Sequence, residues 1–456
     1  MARDQVDLTP IERRDELVDW IAEGAKPKSR FRIGTEHEKF AFTLDDHQPV
    51  PYQGRRGIRS LLEGMEHLLG WQPITEGDNI IGLFDVTGGG AISLEPGGQF
   101  ELSGAQLETV HQTSSELMAH LAQVREVAEP LRIGFLGIGM TPSWSRAAMP
   151  KMPKGRYKIM TAYMPKVGKL GLDMMYRTCT VQTNLDFSSE ADMVKKLRVG
   201  IALQPIATAI FANSPFTEGK PNGYQSFRSE IWRDTDNARA GMLAWVFESG
   251  MGFERWVDYA LDVPMYFIKH GNDYIDIAGQ SFRDLLARKL RALPGTRATI
   301  SDWANHLSTI FPEVRLKRYL EMRGADSGTL PNLLALPALW AGLLYDDASL
   351  DAAWDLVKGW SAEDRQKLRD AVPKLALGAT VRGRSVLEIA AKVLALAGAG
   401  LKRRNRRDPS GKDETRYLEV LEERLARKTT PAQELLDKYR GSWRGSVDPI
   451  YDEQAY

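Results

Sequence analysis

Two glutamates stand two residues apart in Gly34-Thr35-Glu36-His37-Glu38-Lys39-Phe40. In an extended chain residues i and i+2 share a face, so both carboxylates point the same way, roughly 7 Å apart. Two ionised groups held that close ask for a cation. A second acidic segment is Ser93-Leu94-Glu95-Pro96-Gly97-Gly98-Gln99-Phe100-Glu101-Leu102-Ser103, where the alternation around Phe100 and Leu102 puts Glu101 on the polar face. Glu95 shares that parity, with Pro-Gly-Gly between them as a candidate bulge. A third segment runs from Tyr176 to Phe187, where Val181, Thr183, Leu185 and Phe187 alternate with Gln182, Asn184 and Asp186. Gln182 and Asn184 are neutral oxygen donors of the kind that complete the shell of a hard cation. The fourth is Tyr319 to Asp326, with Glu321 and Arg323 on one face if extended.

If these four strands line one sheet, several carboxylates converge, and burying them unpaired costs several kcal/mol per ion. Oxygen donors without a Cys or His cluster fit Mg²⁺ or Mn²⁺ rather than Zn²⁺. Mg²⁺ takes only one or two carboxylates and fills its octahedron with water and phosphate oxygens, so this many acids suggest two or three ions around a nucleotide. The competing reading of any single Glu is a solvated strand face or a structural ion pair. The recurrence of one pattern in four segments favours a shared site.

The positive counterpart is the run Arg228-Ser229-Glu230-Ile231-Trp232-Arg233-Asp234-Thr235-Asp236-Asn237-Ala238-Arg239. Arginine forks match carboxylate or phosphate, and an aromatic ring can wall an amino-acid pocket; a surface ion-pair cluster is the alternative. Met152-Pro153-Lys154-Gly155-Arg156-Tyr157 reads as a basic turn or as a phosphate clamp. The chain contains neither a dinucleotide fingerprint nor a P-loop. His37 faces away from the two glutamates on a regular strand, and Cys179 falls on the apolar side of its strand.

The elements expected to position these residues begin with a helix over Leu8 to about Ala25, capped at Thr9 before Pro10. Strands follow over Arg30 to Phe42, Asn79 to Phe84 and Ala91 to Ser103. A long helix carries Leu107, Val110, Leu117, Leu121, Val124 and Leu131. Ser188 or Ser189 caps a helix towards Asn213 that meets Pro205 inside, where a kink or break is expected. Strands at Pro264 to Ile268 and Tyr274 to Ile277 precede a region that is helical after about Asp346, ending with a capping box at Thr430 to Gln433. Strands and helices without regular βαβ alternation indicate an α+β core with a helical C-terminal part.

Composition narrows the class. The 456 residues carry 60 Lys+Arg against 60 Asp+Glu, which argues against a global attraction to nucleic acid or anionic membrane. The run Lys402 to Arg407 follows a helix and reads as a solvated C-terminal cap. One cysteine cannot close an intramolecular disulfide. The charged start Met1-Ala2-Arg3-Asp4 leads into no apolar signal region, and Val386 to Leu401, interrupted by Glu388 and Lys392, is too short to span a bilayer. Cytoplasmic location is expected.

The segments RIGTEHEKFAF, SLEPGGQFELSG, MPKGRYKIM, YMPKVGKLGLDMMYRTCTVQTNLDF, RSEIWRDTD and FPEVRLKRYLEMRGADSG closely resemble the plant-type glutamate-cysteine ligases, a family also found in proteobacteria. The likeness covers nearly the whole chain, from about Arg30 to the C-terminal SVDPIYDEQAY. It implies a fold related to glutamine synthetase, in which an antiparallel sheet forms a funnel for ATP, L-glutamate and Mg²⁺. It further implies that Glu36, Glu38, Glu95, Glu101, Gln182 and Glu321 form the metal shell with Asn184 beside it. Arg228, Trp232 and Arg323 then clamp glutamate and the phosphoryl group, and Lys154 and Arg156 contact the nucleotide. One catalytic domain over 1–456 follows, with a helical lead at 1–28, an α+β core at 29–345 and a helical part at 346–456. ATP, glutamate and L-cysteine are the implied small-molecule partners of a proteobacterial monomer or homodimer. Plant members carry regulatory cysteine pairs, whereas Ala292 and Leu334 stand where two of those cysteines are expected. A ligase joining glutamate to another amine, and a binding protein that keeps the metal site only as structure, are the alternatives.

Overall fold

Strand β1, Ile33–Thr43, is long because its two faces have different tasks. Glu36 and Glu38 look into a cleft, while His37 and Lys39 are fully buried behind the sheet. The computed structural model describes residues 6–271 and 273–456; the charged stretch Met1 to Asp4 lies outside the described residues. Around β1 stand β2 (Gln72–Glu76), β3 (Asn79–Phe84), β4 (Ala91–Leu94), β5 (Phe100–Ser103), β6 (Ile133–Leu136), β7 (Thr180–Leu185), β8 (Val314–Leu316) and β9 (Leu320–Asp326). They form a nine-stranded sheet in the order β8-β9-β7-β1-β5-β4-β3-β2, with β6 pairing the far end of β1. All its ladders are antiparallel, which settles the expected α+β class.

Helix α1, Val110–Ala128, covers the back of β1. It starts at a capping box in which the Thr109 side chain accepts from the Gln112 backbone. His120 of α1 lies 2.9 Å from the Lys39 ammonium and edge-on to His37. This buried polar column explains why His37 is structural. Helix α2, Gly155–Tyr163, lies over the mouth of the sheet, and α3, Glu190–Ile210, packs against β9 behind it. Ser189 caps α3 as expected, and the helix continues through Pro205. The short α4, Phe227–Ile231, opens from its Ser226 cap at the end of the cleft.

The helical part expected after Asp346 is present, with a small hairpin of Thr380–Val381 and Arg384–Ser385 inside it. It begins against α5, Leu330–Leu344, and includes α6, Ala362–Leu375, and α7, Val386–Arg404. The apolar run from Val386 is thus a buried helix. Asn405 ends it in the left-handed conformation, and Arg403 and Arg404 pair with Asp346 and Glu414, so the basic run is a paired cap. Thr430 caps Pro431–Arg440 through the Gln433 backbone. The chain then returns to the sheet, where Ala455 bridges to Leu136. No single helix among the described residues is long and apolar enough to cross a membrane.

Three expected elements differ. Ala91 to Ser103 is a hairpin, with Leu94 opposite Phe100, because Pro96 cannot donate to a ladder and Gly98 adopts a φ of 83° in the turn. The first helix is Arg14–Ala22 and is not capped by Thr9, since Pro10 is drawn into a bridge with Thr299. The stretch before Cys179 is helical over Gly171–Arg177, leaving the strand only from Thr180.

Candidate active site

Register converts the parity of four separate segments into one polar surface. Glu36 pairs with Gln182 across β1 and β7, Glu38 pairs with Glu101 across β1 and β5, and Glu321 pairs with Asn184 across β9 and β7. Directly opposed residues share a face, so all six point to one side of the sheet. Five of the expected residues line one cleft here: Glu36, Glu38, Glu95, Glu101 and Gln182. Arg228, Trp232, Arg323, Lys154 and Arg156 close it from the other sides.

Each acid is held by donors without charge. Glu36 accepts from Asn184 Nδ2 at 2.8 Å, and Glu38 accepts from the Thr180 backbone at 2.8 Å. Glu101 accepts from Ser93 Oγ at 3.1 Å and Ser103 Oγ at 2.6 Å. Glu95 sits in the β4–β5 turn, where the Tyr157 hydroxyl donates to it at 3.2 Å. Burial, reinforced by Glu95 and Glu101, pushes the Glu38 carboxyl well above the usual carboxylate range. Among the described residues no three acids or histidines stand close enough to enclose an ion by themselves. The donor set nevertheless fits a hard cation: oxygen only, acid-rich, and incomplete without water or phosphate oxygens.

Glu321 departs from the expectation placed on it. It is fully buried, and Arg315 at 2.5 Å, Lys317 at 2.8 Å and Arg323 at 2.8 Å all take its oxygens. These cations hold its carboxyl well below the ordinary range despite burial. It does not line the cleft, and neither does Asn184, whose amide nitrogen is spent on Glu36. Glu321 is enclosed by its three cations, whereas Asn184 Oδ1 is buried without a hydrogen-bond partner.

Arg323 stands at a register shift between Met322 and Ala325, where a bulge re-aims the side chain. A Cβ on the neighbouring Gly324 would come 2.4 Å from Gln204 Oε1, so a larger residue there would require the buried Gln204 side chain to shift. The Arg323 guanidinium donates to Gln182 Oε1 at 2.6 Å and lies 6.0 Å from the Trp232 ring and 5.6 Å from the Phe311 ring. Arg228 is buried beside it and donates to the Arg323 carbonyl at 3.1 Å. Asp326 stands 3.9 Å from Arg228 and accepts from Ser214 and Ser226. At the opposite wall Lys154 donates to the Leu94 carbonyl at 3.0 Å and lies 5.0 Å from the Tyr157 ring, while Arg156 lies 5.4 Å from the Phe267 ring.

Sequence reasoning missed Arg315, Phe311 and Tyr157, which also line the cleft. Arg315 had a local signal, lying on the same parity as Lys317 in Val314-Arg315-Leu316-Lys317, but its partner Glu321 is visible only once β8 pairs with β9.

The arrangement suits phosphoryl transfer to a carboxylate: acids for cations on one wall, arginines on another, and aromatic rings between them. Residues 32–453 match the glutamate-cysteine ligase family 2 (GCS2). The chain belongs to that family. The glutamate–cysteine ligase of Nicotiana tabacum, described as chloroplastic, is 56% identical over 443 residues, covering 97% of this chain and 83% of the relative. The ligase B of Oryza sativa subsp. japonica is 54% identical over 451 residues, 99% of this chain and 89% of that one. A crystal structure of the ligase from Francisella tularensis in complex with AMP superposes with a TM-score of 0.57, over 93% of this chain and 87% of that one, at 11% identity. That likeness concerns the fold, which is shared where sequence similarity has faded. The members at above half identity carry the family assignment across nearly the full chain.

Proposed function

We propose that this chain, a glutamate-cysteine ligase acting at the first step of glutathione biosynthesis, works through the acidic cleft and its arginine wall as follows. Glutamate and ATP bind side by side in the cleft. Arg323 and Arg228 orient the glutamate γ-carboxylate towards the γ-phosphorus, with the Trp232 ring as a wall. The carboxylate attacks that phosphorus, ADP leaves, and γ-glutamyl phosphate forms. The cysteine amine then attacks the acyl carbon, phosphate departs and the amide remains. Most of this catalysis is positioning and electrostatic stabilisation. Arg323 and Arg315 face the charge that develops, in a cleft whose buried walls weaken screening. Lys154 and Arg156 approach from the nucleotide side.

Mg²⁺, or Mn²⁺ in its place, as two or three ions held by Glu36, Glu38, Glu95, Glu101 and Gln182, supplies neutralisation of the triphosphate when bound. The observation that supports this most is the pairing of Glu38 with Glu101, two acids face to face in the cleft with no ion-pair partner among the described residues. Glu321 serves in this reading as the anchor of Arg323 and Arg315, and Asn184 as the orienter of Glu36. Further parts of the proposal are a proteobacterial origin, a cytoplasmic setting and a monomer or homodimer. The lone, buried Cys179 supports regulation without an internal disulfide.

ADP release with glutamate and each of cysteine, alanine, 2-aminobutyrate and ammonia, with and without Mg²⁺, tests the reading. Turnover should require Mg²⁺ and be fastest with cysteine. Preference for another amine would make the chain a different carboxylate-amine ligase, and Mg-ATP binding without ADP release would make it a binding protein.

A further inference from the structure

A second, smaller pocket adjoins the cleft and shares Arg228, Trp232, Phe311 and Arg323 with it. One of its walls comes from outside the expected core. Arg369, on α6 of the helical part, lines the pocket and is only 4% exposed. Its Nε donates to Glu313, and its Nη2 donates to the Ser229 carbonyl at 2.9 Å. Its Nη1 is buried with no hydrogen-bond partner.

A buried guanidinium N–H left unpaired costs on the order of 1–3 kcal/mol, so an acceptor is expected there. The neighbours define its chemistry. Arg228 faces Asp326, Arg323 faces Glu321 and Arg369 faces Glu313, so the acids here are already engaged. What the pocket still offers is donors on arginine, two aromatic rings and the backbone beside Gly241. That set suits a carboxylate on a small organic molecule. Because four residues belong to both spaces, one molecule can extend from the cleft into this pocket. An amino acid reacting at its side-chain carboxylate, or at its amine, would leave its α-carboxylate there.

The attachment of α6 is firm enough to place Arg369 accurately. Arg233 pairs with Asp370 at 3.0 Å, and the Pro373 carbonyl accepts from the backbones of Gln225 at 2.8 Å and Ser226 at 2.9 Å. The Arg-Ser-Glu-Ile-Trp-Arg segment is thus bound to α6 along its length.

We propose that Arg369 is a substrate-binding residue of the ligase: through Nη1 it holds the α-carboxylate of an amino-acid substrate in the side pocket. This rests on the ligase reading above and extends the site into the helical part of the chain. The test is steady-state kinetics of Arg369→Lys, which keeps a charge beside Glu313 and removes the fork. The KM for one amino acid should rise about ten-fold or more, the size of one charge-assisted hydrogen bond, while kcat and the KM for ATP stay within about two-fold. A rise for glutamate assigns the pocket to glutamate, and a rise for cysteine assigns it to cysteine. Unchanged KM values, equal rises for all three substrates, or a fall in kcat alone would overturn the proposal.

Glu313→Gln separates binding from helix docking, since it weakens the same tie but leaves Nη1 in place. If it raised the same KM as much as Arg369→Lys does, the proposal would be wrong. Should Arg369→Lys not fold, the double variant Glu313→Gln, Arg369→Gln removes both buried charges together, and the same KM rise is expected of it. ADP release by the unsubstituted protein with glutamate and cysteine tests the ligase reading separately. An active parent with an unaffected Arg369→Lys defeats only the present inference.

Discussion

Glu38 and Glu321 are the same residue type two strands apart in one sheet, and the chain treats their charges in opposite ways. Glu38, on β1, meets Glu101 across the ladder, accepts a backbone N–H from Thr180 and feels Arg228 without pairing to it. Its carboxyl is driven up. Glu321, on β9, is more deeply buried, yet Arg315, Lys317 and Arg323 drive its carboxyl down. Burial alone therefore does not decide which way an acid's affinity for its proton moves. What separates them is whether the fold supplies the counter-charge. The centre of the sheet leaves its charge unbalanced, a cost that a bound cation can offset, whereas the edge near β8 balances its own.

Changing Glu321 should give the largest effect. Glu321→Gln leaves the buried Arg315 and Lys317 and the half-buried Arg323 without their shared anion, and loss of about 3–5 kcal/mol of stability is expected in denaturant unfolding. If the midpoint instead held and the Mg²⁺ requirement rose as in a cleft variant, Glu321 would belong with the metal-binding acids. Glu38→Gln should do the reverse. Turnover falls by about 10²–10³ as one charge is lost from the cleft, while metal-free stability is kept or improved because a like-charge contact is relieved. Added Mg²⁺ should raise the melting midpoint of the parent and have less effect on this variant; near-normal turnover at saturating Mg²⁺ would remove Glu38 from the site. Arg323→Ala touches both regions. A drop of about 10² in turnover is expected with the fold retained, since Arg315 and Lys317 still hold Glu321; unaltered kinetics would exclude it.

The smallest effect is on pH dependence, and there the two acids differ in sign. The native state keeps the proton on Glu38 at pH values where the unfolded chain has released it. Stability in chelator should therefore fall as pH rises from the ordinary carboxylate range through the raised native value. For Glu321 the stabilisation is complete above the ordinary range and is lost as pH falls through its lowered native value. Unfolding free energy against pH should flatten on the upper side in Glu38→Gln and on the acid side in Glu321→Gln. Identical profiles would end the distinction.

Most of the site could be read from residue order. The Glu-x-Glu parity of β1 and the Gln-x-Asn parity of β7 are consequences of extended backbone, and both hold, whereas on β9 the register shift between Met322 and Ala325 breaks the parity expected of Glu321 and Arg323. The shared parity of Glu95 and Glu101 was legible as well, but not that they stand on the two arms of a hairpin rather than on one bulged strand. The first helix was misjudged because Thr9-Pro10 carries a good local cap signal, which pairing with Thr299 overrides. Arg315 and Arg369 were not legible. Their roles depend on partners on another strand and another helix, and nothing in the surrounding residues names those partners.

By itself the sequence determined which side chains share a face, the oxygen-only chemistry of the acids, the absence of an internal disulfide and the family. Those properties follow from the two-residue repeat of a strand, from side-chain type and from composition. Tertiary structure alone decided which faces meet. Antiparallel pairing set Glu38 against Glu101 and Arg315 against Glu321, and the docking of α6 carried Arg369 to a pocket far from it along the chain. Parity is local, fixed by the backbone of a few residues. Neighbourhood is collective, chosen when apolar faces bury and ladders close, and it is neighbourhood that sets Glu38 against another acid and surrounds Glu321 with three cations.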